Sequence, residues 1–191
     1  MKKVLSVIAC TATLLSTPTF AKQVRLASDF TYPPFNYKDQ SGNPTGFDIE
    51  IADALCAEAK LDCTWVAQNW DSLIPSLLAR KSDVIMASMR ITEERKKRVL
   101  FTNKYYQTPA RFVTATDAKV DISAQGMKDK VIGVQGGTIH DRYVTDKFGD
   151  VAEIKRYTGQ DEVYIDMVNG RLDLTFGNSD QLALALSLIH I

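Results

Sequence analysis

The sequence predicts an α/β fold of two lobes, each a mostly parallel sheet flanked by helices. Two observations predict it. Apolar residues switch repeatedly between the alternating period of strands and the longer period of helices, and this alternation stops after Lys104 and restarts at Val131. Elements that alternate in this way build parallel sheets, in which ligands bind at the carboxyl ends of the strands.

The first lobe, predicted at residues 22–108, has the order β-α-β-α-β. Its strands are predicted at 24–27, 63–67 and 84–87, and its helices at 47–59 and 71–79. Extended segments at 105–109 and 111–115 cross into the second lobe at 109–191, and a polar stretch at 116–130 follows.

In the second lobe, strands are predicted at 131–134, 152–157 and 172–176, and helices at 138–148 and 163–168. Gly170 stands where a helix C-terminal glycine is expected. The apolar run 182–191 has no strand or helix left to pack against. We therefore expect an incomplete lobe whose last residues are a fragment end or are out of frame.

Residues 1–21 have the parts of an export signal: Met1-Lys-Lys is basic, residues 4–15 are apolar, and Thr19-Phe-Ala21 is a small-residue cleavage site. A membrane anchor is disfavoured because the apolar run is short and interrupted by polar residues. A lipoprotein signal ending at Cys10 is the other alternative, but its apolar region is shorter than usual. We expect cleavage after Ala21.

Charge and cysteine content narrow the function classes. Cleavage removes two lysines, which leaves 23 − 2 = 21 basic against 23 acidic residues. This balance predicts neither a nucleic-acid partner nor binding to an anionic membrane. In an oxidising compartment Cys56 and Cys63 favour a disulfide over two free thiols. Their spacing is not C-x-x-C and no histidine is near, so no metal site or thiol chemistry is predicted.

Two segments carry the chemistry for holding a small carboxylate. In 85–95 a strand runs through Ser88 into a helix start that carries Arg95, so N–H groups, a hydroxyl and a guanidinium lie close together. In Gly133-Val-Gln-Gly-Gly-Thr138 the glycines allow close backbone approach to a ligand. A surface arginine and an ordinary strand-end serine remain alternatives, and a nucleotide site is disfavoured because no P-loop or dinucleotide spacing is present.

Five motifs in order carry a family resemblance over nearly the whole mature chain. They are Asp29-Phe-Thr-Tyr-Pro-Pro-Phe35, Gly46-Phe-Asp-Ile-Glu50, Trp70-Asp-Ser-Leu-Ile-Pro-Ser-Leu77, Ile91-Thr-Glu-Glu-Arg95 and Gly170-Arg-Leu-Asp173. The chain resembles the periplasmic amino-acid-binding proteins of ABC importers (solute-binding protein family 3), most closely the lysine/arginine/ornithine- and histidine-binding group.

The resemblance implies the two-lobe periplasmic-binding-protein fold (type II), which closes about a hinge on one amino acid. It implies a periplasmic monomer that delivers arginine, lysine, ornithine or histidine to a membrane permease, without catalysis, cofactor or membrane insertion. It also implies the short disulfide loop. In that family the chain crosses back to complete the first lobe, and this sequence ends before that return.

The resemblance also assigns ligand contacts. Arg95 would pair with the α-carboxylate, Ser88 would bond the α-amino or α-carboxylate group, and Asp29 would meet the distal positive group. Tyr32 and Trp70 would sandwich the ligand side chain. Further contacts are expected from Ala87, Arg90, Gln135, Thr138, Ile139 and His140. Core packing is the alternative for the two aromatics, and a turn or cap role is the alternative for Asp29.

Two positions depart from the family pattern. Arg90 stands where binders of basic amino acids place a small hydroxyl residue, and a second cation there opposes a dibasic ligand unless it points away or pairs with an acid. The alternative is that Arg90 meets an extra carboxylate, as expected for an opine or an acidic amino acid. In the family, an acidic residue binds the α-ammonium. By direct counting its position corresponds to Asn178 in this sequence, or to Asp180 if the loop is two residues longer. Charge pairing favours Asp180.

Three function classes follow. A transport binding protein is favoured because it needs only hydrogen bonds, charge and hinge closure. An enzyme similar to periplasmic dehydratases of prephenate-like acids would need an acid or base in the cleft, for which His140 and Glu94 are candidates. A sensing ectodomain of a membrane receptor is disfavoured because no transmembrane segment follows.

Overall fold

The computed structural model describes residues 22–114 and 120–188, so the predicted export signal and the final residues of the apolar run lie outside the described part. In the first lobe, β1 (Gln23–Ser28) is the central strand of a parallel sheet. Its neighbours are β5 (Asp62–Ala67) and β6 (Val84–Ile85). A small antiparallel sheet between β1 and the first helix consists of β2 (Thr31–Tyr32), β3 (Asn36–Lys38) and β4 (Pro44–Thr45).

Three helices accompany the first sheet. They are α1 (Phe47–Glu58), α2 (Leu73–Leu78), which continues from a 3₁₀ turn at Trp70–Ser72, and the single-turn α3 (Glu93–Lys96). Gly46 precedes α1 with φ +113°, and a Cβ there would lie 2.5 Å from the Phe35 carbonyl oxygen. Only glycine permits both this backbone conformation and this close approach.

The second lobe contains a four-stranded sheet in the order β7-β10-β8-β9. The strands are β7 (Ala110–Thr114), β8 (Val131–Gln135), β9 (Glu153–Tyr157) and β10 (Leu174–Asn178). β8 pairs in parallel with β9 and β10, whereas β7 is antiparallel to β10. The helices are α4 (Ile139–Phe148), α5 (Gln160–Val168) and α6 (Ser179–Leu188).

Each sheet has its own hydrophobic core. In the first lobe Ala27, Leu73 and Ala87 are buried together. The larger core of the second lobe contains Met127, Ile132, Val134, Val144, Phe148 and Leu174. The predicted α/β class with mostly parallel sheets is confirmed, and the exact lobe boundary at 108/109 stays a prediction.

The structure differs from the sequence prediction at three places. β6 ends at Ile85, before the chain turns through Ser88, whose φ is +51°. The segment 105–109 is irregular rather than strand. The expectation that the apolar run at 182–191 has nothing to pack against is wrong at its start, because Leu182 is buried beside Gly177 of β10.

A disulfide joins Cys56 of α1 to Cys63 of β5, as predicted. The two half-cystines are separated by seven positions, so the bond fixes the end of α1 against the start of the next strand. Closing a loop of this size restricts the unfolded chain more than the folded one.

We expect the double variant Cys56→Ser/Cys63→Ser to lose about 2–3 kcal/mol in the free energy of unfolding, because the unfolded chain regains the loop entropy. Urea titration of the oxidised protein measures the difference. Reductant serves as the control, since it should bring the natural sequence to the stability of the variant. Equal stability without reductant would contradict the expected role.

Candidate functional site

Residues from both lobes surround a cleft with about 430 Å³ of empty space, part of it open to solvent. The lining residues are Tyr32, Trp70, Ala87, Ser88, Arg90, Arg95, Gln135, Thr138, Ile139, His140, Gln160 and Asn178. Of the 13 residues that the sequence predicts as ligand contacts, 11 are in this set. Asp29 and Asp180 do not line the cleft, and Gln160 was not predicted.

The first-lobe wall forms where the chain leaves the parallel strands. Trp70 opens the 3₁₀ turn that follows β5, and Ser88 follows β6. Arg95 belongs to α3, whose N-cap Thr92 accepts a hydrogen bond from the Arg95 amide at 3.2 Å. The carboxyl edge of the sheet therefore presents an indole, a hydroxyl and a guanidinium to one space.

The second-lobe wall is the turn between β8 and α4. Thr138 caps α4 by accepting from the Asp141 amide at 3.1 Å, and its hydroxyl donates to the Gln135 carbonyl at 2.9 Å. Gly137 has φ +66°, and a Cβ there would lie 2.1 Å from Oδ1 of Asp71 in the first lobe. Glycine at this position therefore allows the two lobes to approach each other.

Arg95 bridges the two walls. Its Nη1 donates to the Arg90 carbonyl at 2.9 Å, its Nη2 donates to the Gly137 carbonyl at 3.5 Å, and its guanidinium lies 5.4 Å from the centre of the Trp70 ring. Burial, followed by the charge of Arg142, lowers the pKa of Arg95. Among the described residues no carboxylate forms an ion pair with Arg95, so its planar fork can accept a carboxylate ligand.

A buried carboxylate holds Ser88 in place. Asp48 is fully buried and accepts hydrogen bonds from Asn36 Nδ2 at 2.8 Å, Ser88 Oγ at 2.6 Å and Tyr105 OH at 2.7 Å. Because the single hydroxyl proton of Ser88 points at Asp48, Ser88 can only accept from a ligand. This role of Asp48 was not predicted from the sequence, where the residue appears only in the second family motif.

Arg90, Asn178 and Tyr32 form a chain of contacts across the cleft. Arg90 Nη2 donates to the Thr108 carbonyl at 3.0 Å and to Asn178 Oδ1 at 3.4 Å, and Asn178 Nδ2 donates to the Tyr32 hydroxyl. Asn178 ends β10, whereas Asp180 lies on the exposed side of the first turn of α6 and accepts from Ser179. The preference for Asp180 over Asn178 does not fit this placement.

Asp29 lies behind the cleft lining. Its Oδ2 accepts from Gln135 Nε2 at 3.1 Å and from the Thr31 hydroxyl at 3.2 Å. In the described part of the chain its buried Oδ1 has no partner. Burial raises the pKa of this carboxyl. Gln135 lines the cleft, and its hydrogen bond to Asp29 joins the second lobe to the first.

His140 is a buried histidine on the first turn of α4. Its ring contacts the Phe176 ring edge-on at 5.5 Å, and its Nε2 has no partner among the described residues. Burial, followed by the charge of Arg90, lowers the pKa of His140 to about 4. The ring is therefore neutral near pH 7, and its nitrogens serve as hydrogen-bonding groups.

Glu94, the other candidate for acid–base chemistry, lies outside the cleft lining. Its Oε2 pairs with Arg142 Nη2 at 2.5 Å, and both side chains are more than half exposed. No carboxylate is present among the residues that line the cleft. Within the described ranges 22–114 and 120–188, no group of three or more potential ligating side chains is placed to hold a metal ion.

The chain matches the bacterial extracellular solute-binding proteins, family 3, over residues 24–172, and it belongs to this family. It is 45% identical over 185 residues to the L-arginine-binding protein of Pseudomonas aeruginosa, covering 95% of this chain and 71% of that protein. It is 38% identical to the histidine-binding periplasmic protein of Escherichia coli, covering 92% and 70%.

Solved structures show the same fold. An ancestral arginine-binding protein bound to arginine superposes with a TM-score of 0.83 at 29% identity, covering 87% of this chain and 74% of that chain. The ancestral amino-acid-binding protein AncCDT-1, a precursor of cyclohexadienyl dehydratase, superposes with a TM-score of 0.82 at 32% identity, covering 88% and 75%.

We expect Asp48→Ala to lower the free energy of unfolding by about 2–4 kcal/mol, because three donors lose their acceptor and one of them, Asn36, is fully buried. Asp53→Ala is the matched control: it lies on the same helix and accepts only an exposed bond from Trp65 at 3.3 Å. Urea titration should show a loss below about 1 kcal/mol for the control. Equal losses in the two variants would contradict the role given to Asp48.

The lowered pKa of His140 predicts a pH dependence of stability. Between the unfolded value near 6.5 and the folded value of about 4, the unfolded state binds more protons, so the free energy of unfolding falls as the pH falls. From pH 7 to 5 this contribution is about 2 kcal/mol. Thermal or urea unfolding of His140→Gln should show a smaller loss over this interval, and an unchanged pH profile would contradict the assignment.

Proposed function

We propose that this chain is the substrate-binding component of an ABC amino-acid importer and binds a polar amino acid of the arginine, lysine, ornithine and histidine class between its lobes. The observation that carries the proposal is the guanidinium of Arg95, which faces the second lobe without an ion-pair partner among the described residues. Family membership and the arginine- and histidine-binding relatives support it.

The α-carboxylate would bind between Arg95 and the start of α4. The guanidinium offers two parallel N–H donors, and a helix of ten residues begins at Ile139 with the positive end of its dipole at the cleft. The Gly136-Gly137 turn lets the backbone approach this group without a side chain between them. Both walls would thus contribute to holding the same negative charge.

The α-ammonium would bind to acceptors rather than to a carboxylate. Ser88 Oγ directs its proton toward Asp48 and so presents a lone pair to the cleft, and Asn178 supplies an amide oxygen. The ligand side chain would lie between Tyr32 and Trp70, where aromatic faces attract a guanidinium or ammonium. Its distal cation would reach Gln135 and, behind it, the unpaired oxygen of Asp29.

Contacts between the lobes support binding by closure. Trp70 Nε1 donates to the Gly137 carbonyl at 3.3 Å, and Glu94 pairs with Arg142 at the rim. A ligand held on both sides would add to these contacts, and the closed form would be the one that the permease receives. The proposal includes that the protein resides in the periplasm and is a monomer.

The alternatives have less support. An enzyme would need a general acid or base in the cleft with a pKa near the working pH. Burial lowers the pKa of His140 to about 4 and raises the pKa of Tyr32, so neither lining group meets this requirement near pH 7. The relatives named above are binding proteins, which supports an absence of catalysis. For the receptor alternative, no helix in the described part of the chain is long and apolar enough to span a membrane.

We expect Arg95→Ala to weaken binding of the tightest ligand among arginine, lysine, ornithine and histidine by about 30- to 1000-fold. This corresponds to the roughly 2–4 kcal/mol of a paired, charge-assisted contact. Isothermal titration calorimetry measures the change. Lys97→Ala, in the same charged segment but exposed and outside both this cleft and the pocket beside it, should change the Kd less than about 3-fold. If both variants bind like the natural sequence, the proposed function is wrong.

A further inference from the structure

The lining of the cleft is unbalanced in charge. It contains two guanidinium groups, those of Arg90 and Arg95, and no carboxylate. The ring of His140 is neutral near pH 7. Asp29 and Asp48 lie behind the lining and are hydrogen-bonded to protein groups there. A ligand with one carboxylate would leave one of the two cations without an anionic partner.

Arg90 has the contacts of a group that can receive an anion. Its hydrogen bonds in the described part of the chain go to two neutral oxygens, the Thr108 carbonyl and Asn178 Oδ1, and no ion pair there involves it. Its side chain is solvent-accessible and lines the cleft. A guanidinium has five N–H donors, so Arg90 retains donors for a further carboxylate after these two contacts.

The two guanidiniums approach the second lobe at different points. Arg90 reaches Asn178 at the end of β10, whereas Arg95 reaches Gly137 in the turn after β8. Both come from one short segment, in which Arg95 Nη1 also donates to the Arg90 carbonyl at 2.9 Å. Ser88, an acceptor for an N–H group, precedes them in the same segment and lines the same cleft.

Two guanidiniums and one hydroxyl acceptor therefore line a single cleft. We propose that Arg90 is a specificity-determining residue that binds a second carboxylate, and that the preferred ligand is an amino acid with a long side chain and an N-carboxyalkyl group on its α-nitrogen. Arg95 would hold one carboxylate, Arg90 the other, and Ser88 the N–H between them. The inference rests on the proposed function, because it takes the Arg95 contact as given.

The lining of the cleft favours a long side chain over a short acidic amino acid. The aromatic pair Tyr32 and Trp70 lines the same cleft as the two arginines. A glutamate whose two carboxylates met Arg90 and Arg95 would leave the aromatic faces without a ligand group. An N-carboxyethyl arginine, such as octopine, would place its guanidinium there.

The test is calorimetric titration of the full chain with L-arginine, octopine and L-glutamate, each against the natural sequence, Arg90→Ser and Arg90→Lys. We expect the natural sequence to bind octopine at least about 30-fold more tightly than arginine, as a charge-assisted contact implies. Arg90→Ser should weaken octopine binding by a factor at least 30 times larger than any loss of arginine binding. Arg90→Lys keeps the charge but loses the planar fork of the guanidinium. Its affinity for octopine should lie between those of the natural sequence and Arg90→Ser.

Several outcomes would overturn the inference while leaving the proposed function intact. In the first, the natural sequence binds arginine as tightly as octopine. In the second, it binds glutamate more tightly than both. In the third, Arg90→Ser loses equal affinity for arginine and octopine, which would make Arg90 a structural contact only. A melting temperature within a few degrees of the natural sequence shows that the variant is folded. If the natural sequence binds none of these three ligands and no other amino acid, the proposed function itself fails.

Discussion

The hydrogen bonds to the buried carboxylate of Asp48 are the constraint on which the first-lobe wall depends. They join α1 to β3 through Asn36, to the cleft through Ser88, and to the segment that crosses between the lobes through Tyr105. A buried carboxylate is tolerated only when donors satisfy it, so these segments must hold their relative positions. Because Ser88 donates its hydroxyl proton to Asp48, the same bonds leave the Ser88 oxygen able only to accept from a ligand.

Desolvation then determines what the cleft can bind. Arg95 is partly removed from water and receives only carbonyl oxygens and an aromatic face in return. Neutral acceptors compensate a guanidinium less well than a carboxylate does, because a charge-assisted pair is roughly twice as strong. A carboxylate is therefore the ligand group that would compensate Arg95 best. Burial, followed by the charge of Arg90, also lowers the pKa of His140, so its ring adds no further positive charge near pH 7.

Local patterns in the sequence were sufficient for the α/β class, the positions of most elements and the residues that follow the strands. They were insufficient where contacts between segments far apart in the sequence determine burial or hydrogen bonding. Met127 is fully buried although it lies in a stretch predicted as polar, and the partners of Asp48 lie 12 to 57 positions away. Gln160 was missed because the helical period of α5 was recognised only from Val163, whereas the helix begins at Gln160.

The choice between Asn178 and Asp180 shows a second limit. Charge pairing favoured the aspartate, but position at the end of β10 determines which side chain meets the cleft, and that end is Asn178. Residue chemistry identified the kind of group that an ammonium prefers without identifying the residue that reaches it. An amide has an oxygen with two lone pairs and two N–H donors, so Asn178 keeps one lone pair and one N–H after its contacts with Arg90 and Tyr32.

The contacts that hold the lobes together involve the same groups that would bind a ligand. Arg95 meets the Gly137 carbonyl at 3.5 Å, the limit of a hydrogen bond, while its bond to the Arg90 carbonyl is 2.9 Å. Exchanging the longer contact for a carboxylate would strengthen the bridge between the lobes, since the new acceptor carries charge and can pair with both nitrogens. Closure and ligand binding would then reinforce each other through one side chain, and the lobes would separate more readily once the ligand had left.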